Sequence, residues 1–105
     1  MKIHLKKFNT SLSSREAGKS DYKDILPLLN TLKSDENIEI DFEGLSSFSP
    51  SWGDEFLTPL LNKYGNRLVL LSTKNLSVNA TIELLEDIHS LKFKRKNNFL
   101  LNLKL

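Results

Sequence analysis

In this 105-residue sequence the side chains best equipped for chemistry are four carboxylates, two serines beside them and two histidines. Glu39, Asp41, Asp54 and Glu55 could ligate a hard cation or act as general bases. The competing reading is a wet strand face plus ordinary helix-start charges, and the spacing favours it. Ser51 stands where a strand passes into a helix, the place a hydrolase puts its nucleophile, but the G-x-S-x-G frame of that elbow is absent. His4 and His89 fall in separate elements without metal-ligand spacing, so each reads as an ordinary half-buried or surface residue. The four glycines, Gly18, Gly44, Gly53 and Gly65, are scattered and form no phosphate-binding loop. With no cysteine, thiol catalysis, disulfides and thiolate metal sites are excluded. The residues therefore predict no catalytic group, no metal and no cofactor.

Charge is nearly balanced, with 15 basic and 13 acidic residues, so the net charge of +2 argues for neither a nucleic-acid nor a membrane partner. Its distribution is uneven. Between residues 35 and 55 stand Asp35, Glu36, Glu39, Asp41, Glu43, Asp54 and Glu55 without a single Lys or Arg. The cations Lys92, Lys94, Arg95 and Lys96 gather near the other end. That run would serve as a nucleic-acid patch or, more simply, as a solvated loop, since only Phe93 is interleaved with it.

These groups need a scaffold. At 39% hydrophobic the chain can fill one core, and its length predicts a single domain over residues 1–105. No apolar run could cross a bilayer, and no apolar stretch follows the basic MKIHLKK, so neither a membrane span nor a signal peptide is expected. A domain this small without disulfides fits a cytoplasmic setting. Residues 2–8 alternate as a strand. Ser13 and Glu16 have capping-box spacing and predict a helix carrying Ala17, Tyr22, Ile25, Leu26, Leu29 and Leu32 on one face. Gly18 and Pro27 weaken it, with a kink or break expected around Lys23–Pro27.

Ile38, Ile40 and Phe42 alternate with Glu39, Asp41 and Glu43, which predicts a strand with one open face. Next comes the corner LSSFSPSW. Ser49 is placed to cap a helix whose first residue is Pro50, with Ser51 and Asp54 as an overlapping cap. Asp54 and Glu55 then fall in the first turn, where carboxylates suit the helix dipole. Phe56, Leu57, Leu60, Leu61 and Tyr64 form the inward stripe, Pro59 predicts a distortion, and Gly65 ends the helix. RLVLLST (67–73) reads as a strand covered on both sides. Asn75 or Ser77 caps a third helix with Val78, Thr81, Ile82, Leu85, Ile88 and His89 inward. The basic loop 92–98 leads to a last strand, FLLNLKL (99–105). The order β-α-β-α-β-α-β predicts an α/β fold with a small, mostly parallel mixed sheet packed with helices. Trp52 reads either as packed against its helix start or as a displayed partner anchor.

The stretch IDFEGLSSFSPSWGDEFL resembles the central motif of STAS domains, the fold of anti-anti-sigma factors. More closely, it looks like a small prokaryotic STAS-like family of unknown function. LSSREAG near the first helix and NLSVNATIELLE in the third extend the likeness over most of the chain. The resemblance implies a STAS-like fold and a regulatory, protein-binding role, with a GHKL-type ATPase as the partner class. In anti-anti-sigma proteins the corner reads Asp-Ser-Ser-Gly and its first serine is phosphorylated. Overlaid without gaps, Ser49 takes the aspartate's place, Pro50 that serine's, Ser51 the second serine's and Trp52 the glycine's. The acceptor is thus missing in register.

Together these readings lead to a non-enzymatic docking module that meets a partner protein through the corner 46–57, using Ser49, Ser51, Trp52, Asp54 and Glu55. Phosphorylation at Ser49 or Ser51 is the second reading. A phosphate there would gain from the helix N-terminus but would meet Asp54 and Glu55, so the two effects roughly cancel. Nucleic-acid binding through 92–96 is the third.

Overall fold

The computed structural model describes residues 1–97. Four strands, β1 (Lys2–His4), β3 (Ile38–Asp41), β5 (Leu68–Leu71) and β6 (Lys94–Lys96), form a sheet in the order β1-β3-β5-β6, all parallel. Two shorter strands, β2 (Ser11–Leu12) and β4 (Ser47–Phe48), pair in parallel apart from it. The helices are α1 (Arg15–Leu29), α2 (Pro50–Tyr64) and α3 (Leu76–His89). Single-turn 3-10 helices occupy Leu5–Lys7 and Gly65–Arg67. Each β-α-β unit advances one place in the same direction, so right-handed crossovers put all three helices on one face.

The register shows which residues that face receives. Ile3, Ile40 and Leu70 lie side by side, as do Ile38 and Leu68, and all five join the main core. Lys2, Glu39, Val69 and Lys94 line up on the other face, followed by His4 with Asp41 and Leu71 with Lys96. Glu39 and Asp41 are half-buried and alternate with the buried Ile38, Ile40 and Phe42, as period two requires. Val69 and Leu71 are buried but stand outside the main core. The Lys96 ammonium lies 3.1 Å from Glu39. Because β3 and β6 flank β5, this ion pair arches across β5 on the helix-free face.

Several elements depart from the sequence reading. The first strand stops at His4, because Leu5 turns into the core through a 3-10 turn. The polar segment Asn9–Ser13 contains β2, too short at two residues to show a period-two pattern. Ser14, not Ser13, caps α1, accepting from Ala17 N–H at 3.1 Å. Helix α1 runs unbroken through Pro27, and α2 through Pro59. Each proline removes one donor, and packing of the flanking turns holds the helix together regardless. Ile88, expected inward, is exposed. The basic stretch is not a loop: residues 94–96 pair with β5, while Phe93 just before them is buried. The strand expected at 99–105 lies outside the described residues.

Candidate functional site

The corner is built from the backbone outward. Phe48 plunges into the core, and its carbonyl accepts a hydrogen bond from the buried Thr81 hydroxyl at 2.7 Å. Ser49 N–H donates to Leu12 C=O at 2.9 Å, and both Ser46 N–H and the Ser46 hydroxyl donate to Thr10 C=O. The hydroxyls of Ser11 and Ser47 hydrogen-bond across the β2–β4 pair. The turn before α2 is therefore fastened to the segment before α1. Ser49 caps α2 as expected, accepting from Trp52 N–H at 3.2 Å, with Pro50 as the first helical residue.

Trp52 is no partner anchor. It is 0% exposed, stacked on Phe56 at 4.5 Å between ring centres and edge-on to Phe48 at 5.5 Å. Its indole N–H donates to Asp21 at 2.9 Å. At the third position of α2 its side chain points inward toward α1, where six neighbouring aromatic contacts exclude solvent. Gly53 beside it is buried against Phe48 and Leu85. What the corner presents outward is the exposed Pro50, the half-buried Ser51 and the exposed Ser46.

The two carboxylates are also placed differently. Counting from Pro50, Asp54 and Glu55 fall in the second turn, so they neither cap α2 nor occupy its first turn. Arg15, at the start of α1, contacts Asp54 at 3.1 Å and Glu55 at 2.7 Å. His89, at the end of α3, reaches the other Asp54 oxygen at 2.7 Å, and the Thr58 hydroxyl donates to that oxygen at 3.0 Å. Burial alone would raise the Asp54 carboxyl, but the hydrogen bonds from His89, Arg15 and Thr58 together outweigh it and hold it below its ordinary value. Bonds to Glu55 and then Asp54 in turn raise Arg15. One aspartate thus clasps three helices. Neither Arg15 nor His89 was assigned to the site from sequence, because their partners lie 35 or more positions away; only the i, i+4 spacing of Asp54 and Thr58 was legible.

Chemically the clasp is saturated. Asp54 orients His89, yet no described serine hydroxyl hydrogen-bonds to either histidine, and no described group of three or more His, Asp or Glu is arranged to hold a metal. His4 pairs with Asp41 directly across β1 and β3 at 2.9 Å. The basic run forms no single patch. Lys94 and Lys96 share the helix-free face, Lys96 is paired with Glu39, and Arg95 projects oppositely to contact Asn79 at 3.3 Å. A hollow of about 300 Å³ opens at the carboxyl ends of β3 and β5, lined by Asp41, Glu43, Gly44, Ser72, Thr73 and Asn75. The polar run Ser72–Asn75 directly after an apolar strand was its one sequence signal. Asn75 is committed there: it caps α3 by accepting from Val78 N–H and donates to Leu45 C=O.

Over residues 22–80, more than half of its length, the chain matches the family described as STAS-like domains of unknown function. The chain is a member of that family. The matched span runs from the middle of α1 to the first turn and a half of α3, so it contains β3, the corner and all of α2. No curated protein and no solved structure matches the chain. The parallel four-stranded sheet with its three helices is consistent with the fold expected of a STAS-like domain. No described helix is long and apolar enough to cross a membrane.

Proposed function

We propose that this STAS-like domain is a non-enzymatic regulatory module that docks a partner protein through the corner 46–57. The observation that carries the reading is the construction of the corner: Pro50 and Ser51 face outward on a turn fastened beneath by Trp52, Asp21, Ser49 and the β2–β4 pair. A surface held in one geometry loses little conformational entropy on docking. Its rim of Ser46, Ser51, Asp54, Glu55 and Arg15 offers hydroxyls and paired charges rather than a reacting group. A GHKL-type ATPase is the partner class that STAS kinship suggests. Ser51→Arg adds bulk and charge at the half-buried outward face of the corner. Purified protein and a Ser51→Arg version, both with unchanged unfolding, should differ sharply in capturing a GHKL-type ATPase from the native host. Equal capture by the two would remove the corner from the interface.

One observation favours a switch at Ser51 over one at Ser49. The Ser49 hydroxyl is engaged as the α2 cap, whereas no described hydrogen bond occupies that of Ser51. A phosphate on Ser51 would stand one turn from Asp54 and compete with it for Arg15 and His89. Intact-mass measurement of protein isolated from its host should then show a shift of one phosphate that Ser51→Ala abolishes. A shift that persists in Ser51→Ala places the phosphate elsewhere.

A further inference from the structure

A second hollow, of about 350 Å³, opens between the segment around β2 and the first half of α1. One wall is α1, where Ala17 and Asp21 stand one turn apart, with Ser13 just before the helix. Asn9 stands on the β2 side. The half-buried ring of Phe8, held edge-on to Phe56 at 5.4 Å, supplies an apolar side. Fully buried Trp52 closes the hollow from beneath. None of the corner's outward residues, Ser46, Pro50 and Ser51, lines it, so it is separate from the docking face.

A single polar side chain beside a hollow is ordinarily satisfied by water and signifies nothing. Here several converge, and existing bonds fix which half of each is still free. Asn9 spends its side-chain oxygen on Ser11 N–H at 3.2 Å, which leaves the amide N–H groups as its free end. Asp21 spends one oxygen on the Trp52 indole at 2.9 Å and keeps the other. The Ser13 hydroxyl has no described partner. The hollow thus offers amide donors, a carboxylate acceptor and a hydroxyl able to do both.

We infer that this hollow is a binding site for a small neutral polyol, about one sugar ring in size. The complement of the free groups selects that class. An ammonium ion only donates, so it would leave the Asn9 amide unmet. An inorganic anion only accepts, and it would face the Asp21 carboxylate, the one charged residue among the described residues lining the hollow. Each hydroxyl of a polyol both donates and accepts, so neighbouring hydroxyls on one ring serve Asp21, Asn9 and Ser13 together. Its C–H face fits the Phe8 ring, the pairing of apolar wall and few polar groups that ligand pockets share. The volume stands at the small end of the range for such pockets, about 300–1,000 Å³. The methyl side chain of Ala17 leaves that room on the helix side.

Trp52 is the only tryptophan in the chain, and its indole is bonded to Asp21, so its emission reports occupancy directly. Titration of the purified full chain with myo-inositol, D-glucose and D-ribose into the high millimolar range should give a saturable change with at least one of them. Backbone amide shifts should move in the same titration around residues 8–21 and at Trp52. Asp21→Asn keeps an oxygen for the indole but loses the charged acceptor, and should bind about tenfold or more weakly. Ala17→Leu fills the space and should abolish the response while the protein remains folded by its amide spectrum. Ser13→Ala, at an exposed position, should weaken binding without altering the unfolding midpoint. Silence of both emission and amide shifts with all three polyols would overturn the inference. So would a response retained in both Asp21→Asn and Ala17→Leu, or one that ammonium chloride or inorganic phosphate reproduces equally.

Discussion

Trp52 shows how completely one side chain's role depends on what surrounds it. Its ring closes the junction of α1, α2 and the β4 turn, and its only polar atom is satisfied by Asp21. Trp52→Ala should therefore destabilise the fold by about 3–5 kcal/mol, read as a lower urea midpoint. Asp54 makes a prediction of opposite visibility, since its effect appears only in acid. Its folded carboxyl is held below the ordinary 3.8. The stability it contributes is accordingly complete above that ordinary value and is lost as pH falls through the lowered one. Asp54→Asn should be less stable than wild type at neutral pH. The gap should narrow in acid, when denaturant midpoints are compared between about pH 7 and 2.

At the scale of elements, the meeting of α1 and α2 is the most extensive contact among the described elements and turns on Gly18. A Cβ at that position would lie 2.7 Å from the Trp52 carbonyl oxygen and 3.0 Å from Glu55 Cβ. Helix propensity favours alanine there by about 1 kcal/mol. Overpacking against a backbone atom costs about 1–3 kcal/mol, so the clash should win and Gly18→Ala should lower the urea midpoint. A rise in midpoint would mean the helices can part at no cost. The start of α3 makes a finer distinction. Asn75→Asp keeps the oxygen that caps Val78 but loses the amide that donates to Leu45, while Asn75→Ala loses both. The aspartate version should fall between wild type and alanine, with the alanine loss about 1 kcal/mol or more by thermal unfolding.

Across the whole molecule, stability should be graded by position in the sheet. Ile38, Ile40, Leu68 and Leu70 are fully buried between two neighbouring strands and the helices, whereas all three residues of β6 are exposed. Native-state amide exchange should be slowest in β3 and β5 and clearly faster in β6. Uniform protection across the four strands would contradict that gradient. The placing of every helix on one face also leaves Lys2, Glu39, Asp41, Lys94 and Lys96 to cover the other. Charged and amphipathic side chains bridging over Val69 and Leu71 take the place of a second helix layer there.

Period-two and period-3.6 patterns are local quantities, so the alternation of Ile38–Phe42, the Ser49–Pro50 helix start, a third-helix cap at Asn75 or Ser77 and the family likeness could be read from the chain alone. The strand at 94–96 could not, since three successive basic residues look solvated until β5 supplies their backbone partners. Nor could the inward turn of Trp52, the use of Gly18 as a crossing point, or the gathering of Arg15, Asp54 and His89. Each depends on groups more than thirty positions apart meeting in space, and no window of neighbouring residues carries that information. Packing against a distant element decides such features because burial and unscreened charge are properties of the assembled interior, not of the segment.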